Sequence, residues 1–310
     1  MVPQSPDPRK GRPGEGLRRA RGRSPTASVS SVRAFCRRIL ESGDLSSKLA
    51  PPRRADGVPL DDTRPGPALE IAGPVCDPGL ALRSGVGRLP SPRDLNAPSA
   101  RARCLATFAH HELMATELFA WALLRWPELP GGLRRGFLKV LAEEQRHCRL
   151  YLARLRALGS DLHEHRLSDY FWKHAPAIAD SPHGPRAFLA AMGLTLEQAN
   201  LDFSLVYRDA FRAAGDEASA RVCQIVHDDE IGHVRLAARW LRRLAPDDRD
   251  DVQRYAEAVP FPLGAARAKA RRFDADARRR AGLSDTFIEH VRRARSSQEL
   301  RGTPRAPRPR

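Results

Sequence analysis

The chain has 310 residues, 41% of them hydrophobic and 6% aromatic, and a formal net charge of +16 from 53 basic and 37 acidic residues. That length holds one large domain or two modest ones, and no run approaches the ~20 apolar residues of a membrane span. The five cysteines (36, 76, 104, 148 and 223) stand singly, without a CxxC pair. This argues against a zinc ribbon or a disulfide scaffold and fits a reducing, cytoplasmic location.

Lysine occurs only at positions 10, 48, 139, 173 and 269, so the basic excess is almost wholly arginine. Coding-sequence composition produces such a skew, and the charge is therefore discounted as a sign of nucleic-acid binding. Residues 1–27 are Arg, Pro, Gly and Ser with few aliphatic side chains. They cannot bury enough surface to offset chain entropy and are expected to be a disordered basic tail without a signal peptide. Residues 29–42 place Val32, Phe35, Cys36 and Ile39 at helical spacing. Residues 43–97, rich in Pro and Gly, are too long for an ordinary loop and are expected to wrap the following domain as a strap.

Four long helices are predicted next. The first spans 98–126, and Leu105, Phe108, Thr116, Phe119, Leu123 and Trp126 fall near Glu112 on a wheel of about 100° per residue. A carboxylate in an apolar stripe is costly unless it is paired or bound to metal. His110 and Glu117 share another flank, as a polar pair between helices or as support for a site. The second helix, 133–158, has the stripe Phe137, Val140, Glu144, His147, Cys148, Tyr151, Leu155 and Leu158, with Gly159 as its C-terminal cap. Glu143 points away from that stripe and is read as solvated. A connection over 160–184 carries His163, His165, His174 and His183 at irregular spacing, read as surface or loop packing. The third helix, 185–214, begins at Pro185 and has the stripe Leu189, Gly193, Glu197, Leu201, Ser204 and Phe211. The fourth, near 216–244, begins at Asp216 and has the stripe Cys223, Val226, Glu230, His233, Val234, Ala237, Leu241 and Leu244. Shorter helices are expected over 250–258 and 265–281, and a disordered tail over 291–310. The expected divisions are thus 1–27, 28–97, 98–245, 246–290 and 291–310.

Glu144-Gln145-Arg146-His147 and Glu230-Ile231-Gly232-His233 are both Glu-x-x-His, which puts a carboxylate and an imidazole on one helix face. Glu112 precedes Glu144 by 32 residues and Glu197 precedes Glu230 by 33. Two antiparallel helix pairs, each carrying Glu and then Glu-x-x-His, form a pseudo-repeat. This is the ligand pattern of ferritin-like di-metal carboxylate bundles, and the long 145–196 interval supplies the crossover that the topology requires. The fold expected is all-α: a ferritin-like four-helix bundle with extra N- and C-terminal helices. The proposed ligands are Glu112, Glu144, His147, Glu197, Glu230 and His233, suited to two Fe or Mn ions. Four carboxylates would balance the charge of two divalent ions. His227 is a candidate extra ligand, and Tyr151 a candidate redox or supporting group that could equally be core. Cys148 and Cys223 are read as core residues.

The runs His110–Glu117, Glu143–His147, Leu196–Asp202 and Asp229–Val234 resemble the bacterial ferritin-like family called domain of unknown function 455. The resemblance extends to Ala34–Leu49 and Pro262–Gly282, covering about residues 29–285. It implies a ferritin-like bundle with a di-metal site and an unestablished reaction. The chain departs from the pattern at Asn200, where Gly is expected, and at Thr116, where Ile is expected; neither change is expected to touch a ligand. The leading functional expectation is an oxygen-activating oxidoreductase whose partners are dioxygen and a small organic substrate. The alternatives are metal storage, a tRNA-modifying hydroxylase that the basic balance would suit, and a non-enzymatic helical scaffold. A homodimer is the assembly considered.

Overall fold

The computed structural model describes residues 29–54, 56–85 and 89–295, most of them helical. The tail expected over 1–27, and most of that expected over 291–310, lie outside the described residues. No described helix is long and apolar enough to cross a membrane.

The first helix, α1 (Val32–Glu41), begins three residues later than the periodicity indicated because Ser31 caps it, accepting from the Ala34 amide. It buries Val32, Phe35, Cys36, Ile39 and Leu40 against the first long helix. A short α2 (Leu45–Lys48) follows. The strap then runs along the helices, tied by polar contacts: Arg134 holds Asp62 with two nitrogens at 2.6 and 2.8 Å, and Trp121 Nε1 donates to the Ile71 carbonyl at 3.0 Å. Its two-residue strand β1 (Leu82–Arg83) pairs in parallel with β2 (Leu167–Ser168) in the long connection.

The first long helix α3 (Pro98–Arg125) and the second, α4 (Gly131–Ala157), are joined by a short turn and pack extensively on each other. After the connection and its short α5 (Ala175–Ala179), the expected third helix is composite. It opens as α6 (Pro185–Phe188), widens into a π-helical stretch over Leu189–Glu197, and returns to α7 (Gln198–Ala213). Every residue of the π stretch is buried, and Thr195 Oγ1 donates to the Ala190 carbonyl five residues back at 2.8 Å. The last long helix, α8 (Glu217–Arg243), packs on the π stretch, α7 and α4. Asp216 caps it by accepting from the Ser219 amide. Gly159 and Gly215 both adopt positive φ where the preceding helices end, a conformation that costs glycine little.

The C-terminal part differs from expectation. In place of a helix over 265–281 there is a single tight turn, Ala265–Arg267, and then α10 (Ala275–Arg280), after α9 (Asp251–Ala258). A further helix, α11 (Asp285–Arg293), reaches into the stretch read as a tail. Its arginines are exposed, while Phe287, Ile288 and Val291 are buried, so composition concealed an amphipathic face. This extension is bolted to the long helices by Asp202 of α7, whose carboxylate accepts from Arg278 Nη1 and Nη2 at 2.8 and 2.9 Å and from the Ala270 and Asp274 amides at 3.0 and 2.8 Å.

Candidate metal centre

The six residues proposed from the sequence come together. They form two overlapping groups: Glu112, Glu144, His147 and Glu230 make one, and Glu144, Glu197, Glu230 and His233 the other. In each group one potential ligand atom from every residue lies within 4.8 Å of the rest. Glu144 and Glu230 belong to both groups. They therefore stand between two end pairs, Glu112 with His147 and Glu197 with His233, and the pseudo-repeat of the sequence becomes a near-symmetric cluster. All six residues are buried.

The polar atoms at the centre are short of partners. Both Glu144 oxygens, Glu197 Oε1 and His147 Nδ1 have no hydrogen bond. His233 Nδ1 stands 3.0 Å from Glu144 Oε1, but the hydrogen bond it makes is to Glu230 Oε2 at 3.1 Å, so Glu144 stays unpartnered. Buried carboxylate oxygens without donors are expensive in a protein interior. A metal cation would supply what these lone pairs lack, and carboxylates with imidazoles are a donor set able to hold one.

The imidazoles are oriented from outside the cluster. His147 Nε2 lies 2.7 Å from Asp229 Oδ2, and His233 Nε2 lies 3.2 Å from Glu143 Oε2. With Nε2 held by a carboxylate, each ring turns Nδ1 into the cluster: His147 Nδ1 has no partner there, while His233 Nδ1 meets Glu230 Oε2 at 3.1 Å, and loss of the ring proton would present either Nδ1 to a metal ion. His147 Nδ1 stands 3.6 Å from Glu144 and 3.8 Å from Glu112. The supporting carboxylates are exchanged between the motifs: Glu143 of the first serves His233 of the second, and Asp229 of the second serves His147 of the first. Lys139 holds Glu143 at 2.7 Å, and Arg146 pairs with Asp229. The reading of Glu143 as merely solvated is thus corrected. Its helix angle takes it off the apolar stripe and directly towards the neighbouring helix's histidine.

Electrostatics without metal follow from this crowding. Burial and the adjacent Glu144 carboxylate push Glu112 well above the usual carboxylate range, and burial and Glu230 do the same to Glu197. Burial opposes charge on Glu144 too, but its contacts with Glu112, His147 and His233 outweigh that and hold it well below. Burial likewise opposes charge on both imidazoles. Asp229, Glu112 and Glu144 nonetheless raise His147, and Glu230, Glu143 and Glu144 raise His233. Without a cation, the cluster retains protons where a cation would sit.

The remaining candidates lie elsewhere. Glu117 pairs with the buried Lys48 Nζ at 2.7 Å and accepts from Trp172 Nε1 at 2.8 Å, fastening α2 and the connection to α3. His110 is buried but lines a cavity beside α3 and joins neither ligand group. His227 Nδ1 meets the Leu201 carbonyl at 3.1 Å and also joins neither group. Tyr151 packs on Phe108, with its hydroxyl 3.9 Å from Cys223 Sγ. Asn200 does touch the cluster, against expectation: its Nδ2 donates to Glu230 Oε1 at 3.0 Å, a contact that the expected glycine could not make. Thr116 is fully buried, and its hydroxyl is unpartnered.

Fold and cluster together define a largely helical protein with a buried glutamate–histidine group able to hold a metal ion. Residues 64–289 match the family described as "Protein of unknown function (DUF455)", and the chain belongs to that family. The matched range contains all six cluster residues but leaves out Ala34–Leu49. A relative from Haemophilus influenzae, itself described only as an uncharacterized protein, is 30% identical over 151 residues, 46% of this chain and 51% of the relative. The chain therefore spans about half the length of the curated relative it matches. No solved structure matches the chain.

Proposed function

We propose that this chain is a ferritin-like di-metal carboxylate protein, holding two iron or manganese ions, that activates dioxygen to oxidise a small organic substrate. One observation carries the reading: two four-residue ligand groups share Glu144 and Glu230 and leave four buried ligand atoms without hydrogen bonds. Glu112 and His147 would hold one ion and Glu197 and His233 the other, with Glu144 and Glu230, which belong to both groups, available to either. Reduced metal held by such a set would supply the electrons for dioxygen chemistry. The protein's own part is to orient. Asp229 and Glu143 fix the imidazoles, Asn200 fixes one oxygen of Glu230, and the apolar helix faces keep water from the cluster.

The test is anaerobic reconstitution of the purified chain with Fe(II) or Mn(II), followed by elemental analysis and measurement of oxygen uptake. About two ions per chain and oxygen consumption are expected. No bound metal would overturn the di-metal reading. Metal without oxygen uptake, in a large closed particle by light scattering, would favour storage. Copurifying tRNA, released steeply by salt, would favour the RNA-modifying alternative.

A further inference from the structure

A second feature of the molecule lies behind α3. On a helical wheel, Arg103, Thr107 and His110 fall about 140–180° around the helix from Glu112, on the side away from the cluster. They face the 164–170 connection across a cavity of about 580 Å³, whose polar wall includes Arg103, His110, His111, Glu164, His165 and Arg166. Two guanidinium groups thus meet one carboxylate. That carboxylate is already engaged, since Glu164 Oε2 accepts from Ser160 Oγ at 2.7 Å. The same hydroxyl lies 3.0 Å from His165 Nε2, leaving Nδ1 of that ring unengaged. The His111 ring is held flat on Phe171, with centroids 5.1 Å apart.

These donors have no acceptor on the protein among the described residues. Neither Arg103 nor Arg166 has a side-chain hydrogen bond among the described residues, and neither does His110, which is only 2% exposed. The wall of the cavity thus brings a mostly buried imidazole and two exposed guanidinium groups together with no protein acceptor for any of the three. A cation does not fit: among the described residues, the His, Asp and Glu atoms here do not gather into a ligand group. An oxyanion fits, because guanidinium forks and imidazole N–H groups bind carboxylate and phosphate oxygens directionally.

We infer that this cavity is a binding site for a small oxyanion-bearing molecule, a carboxylate or a phosphate, held by Arg103, Arg166 and His110. The site is separate from the glutamate–histidine cluster and does not depend on metal there. It also gives a role to the histidine-bearing connection, whose irregular spacing showed no ligand pattern in the sequence: His165 and Arg166 approach His110 and His111 only in the fold.

Isothermal titration of the full chain with inorganic phosphate, and separately with succinate, at physiological salt tests this. Saturable one-site binding is expected for at least one of the two, and the arm that binds identifies the class. The R103A/R166A double variant removes two exposed side chains and should weaken that binding by about tenfold per guanidinium. The R135A/R239A variant, which removes equal charge at two exposed positions remote from the cavity, should bind as the parent does. Absence of saturable binding in both arms, or equal weakening in the two double variants, would overturn the proposal. The latter would assign the effect to diffuse charge on a chain of net +16. Binding is expected with or without loaded metal, so failure of the di-metal reading would not mimic failure here.

Discussion

Glu144 has zero solvent exposure and two carboxylate oxygens without hydrogen bonds, an arrangement that makes chemical sense around a cation. Glu144→Gln should therefore reduce bound metal to a small fraction of the parent's, as read by elemental analysis; full occupancy in that variant would remove Glu144 from the ligand set. Removing the groups that orient the imidazoles should have a graded effect. Glu143→Ala and Asp229→Ala should each cost about 10–100-fold in metal affinity while leaving the six ligand candidates in place. A competition titration against a chelator measures this. The pH dependence has a definite sign. Glu112, Glu197, His147 and His233 all bind protons more tightly in the metal-free fold than when unfolded. Their contribution to stability is thus complete at low pH and is lost as pH rises. Glu144 runs the other way, its contribution lost on acidification below 4.5. Metal displaces the retained protons. The rise in Tm on adding Fe(II) or Mn(II) should therefore grow with pH above about 4.5 and shrink towards acid; a pH-independent rise would contradict this proton inventory. All six cluster residues were legible in the sequence, because a charged side chain in an apolar stripe stands out at helical period. The supporting carboxylates were not, because an acid beside a stripe looks like any solvated acid. A local signal was present: both Glu-x-x-His phrases are preceded by a second acid, Glu143 and Asp229, four residues before each histidine.

The composite third helix shows what periodicity cannot carry. A wheel of about 100° per residue assumes unbroken α geometry, and residues 189–197 are wound wider. The stripe still identified Glu197, but nothing in the pattern announced the π stretch, a device that re-aims side chains within a helix. Gly193 lies in that stretch, and its place is steric. A Cβ there would sit 2.2 Å from the Ala237 Cβ on α8, with no other side-chain atom within 4 Å. Gly193→Ala should destabilise the protein by about 1–3 kcal/mol through overpacking, read by denaturant titration. Adding Ala237→Gly should restore part of the loss, less about 1 kcal/mol for glycine within a helix. If the second change deepens the loss instead, close helix approach is not the reason for the glycine. The α11 helix escaped sequence reading for a compositional reason: arginines dominate 291–310, although Phe287, Ile288 and Val291 keep helical spacing.

For the molecule as a whole, the long helices are dressed by segments from both ends of the chain, each anchored by a buried ion pair. Lys48 with Glu117 fixes the N-terminal strap, and Asp202 with Arg278 fixes the C-terminal extension. The extent of the strap followed from chain length and Pro/Gly content. Its anchors did not, because pairing across 69 and 76 residues leaves no local pattern. Breaking a buried pair leaves an uncompensated charge, so Asp202→Asn should cost about 3–5 kcal/mol in denaturant unfolding. The same change should loosen amide exchange over 265–293 before it affects α3 and α4. Uniform loosening would mean that the extension and the long helices unfold as one unit.

The exchange of supporting carboxylates between the two motifs bears on how the chain assembles. The helix pair of residues 98–157 carries Glu112, Glu144 and His147 but borrows Asp229 and Glu230. The pair of residues 185–243 carries Glu197, Glu230 and His233 but borrows Glu143 and Glu144. Neither half contains a finished coordination sphere, so an ion would act as a rivet between them and not as an ornament of either. Each half expressed alone should bind metal weakly. Mixing the two should yield tight binding and mutual ordering in a single concentration-dependent step, with the metal reporting on the docking of the halves.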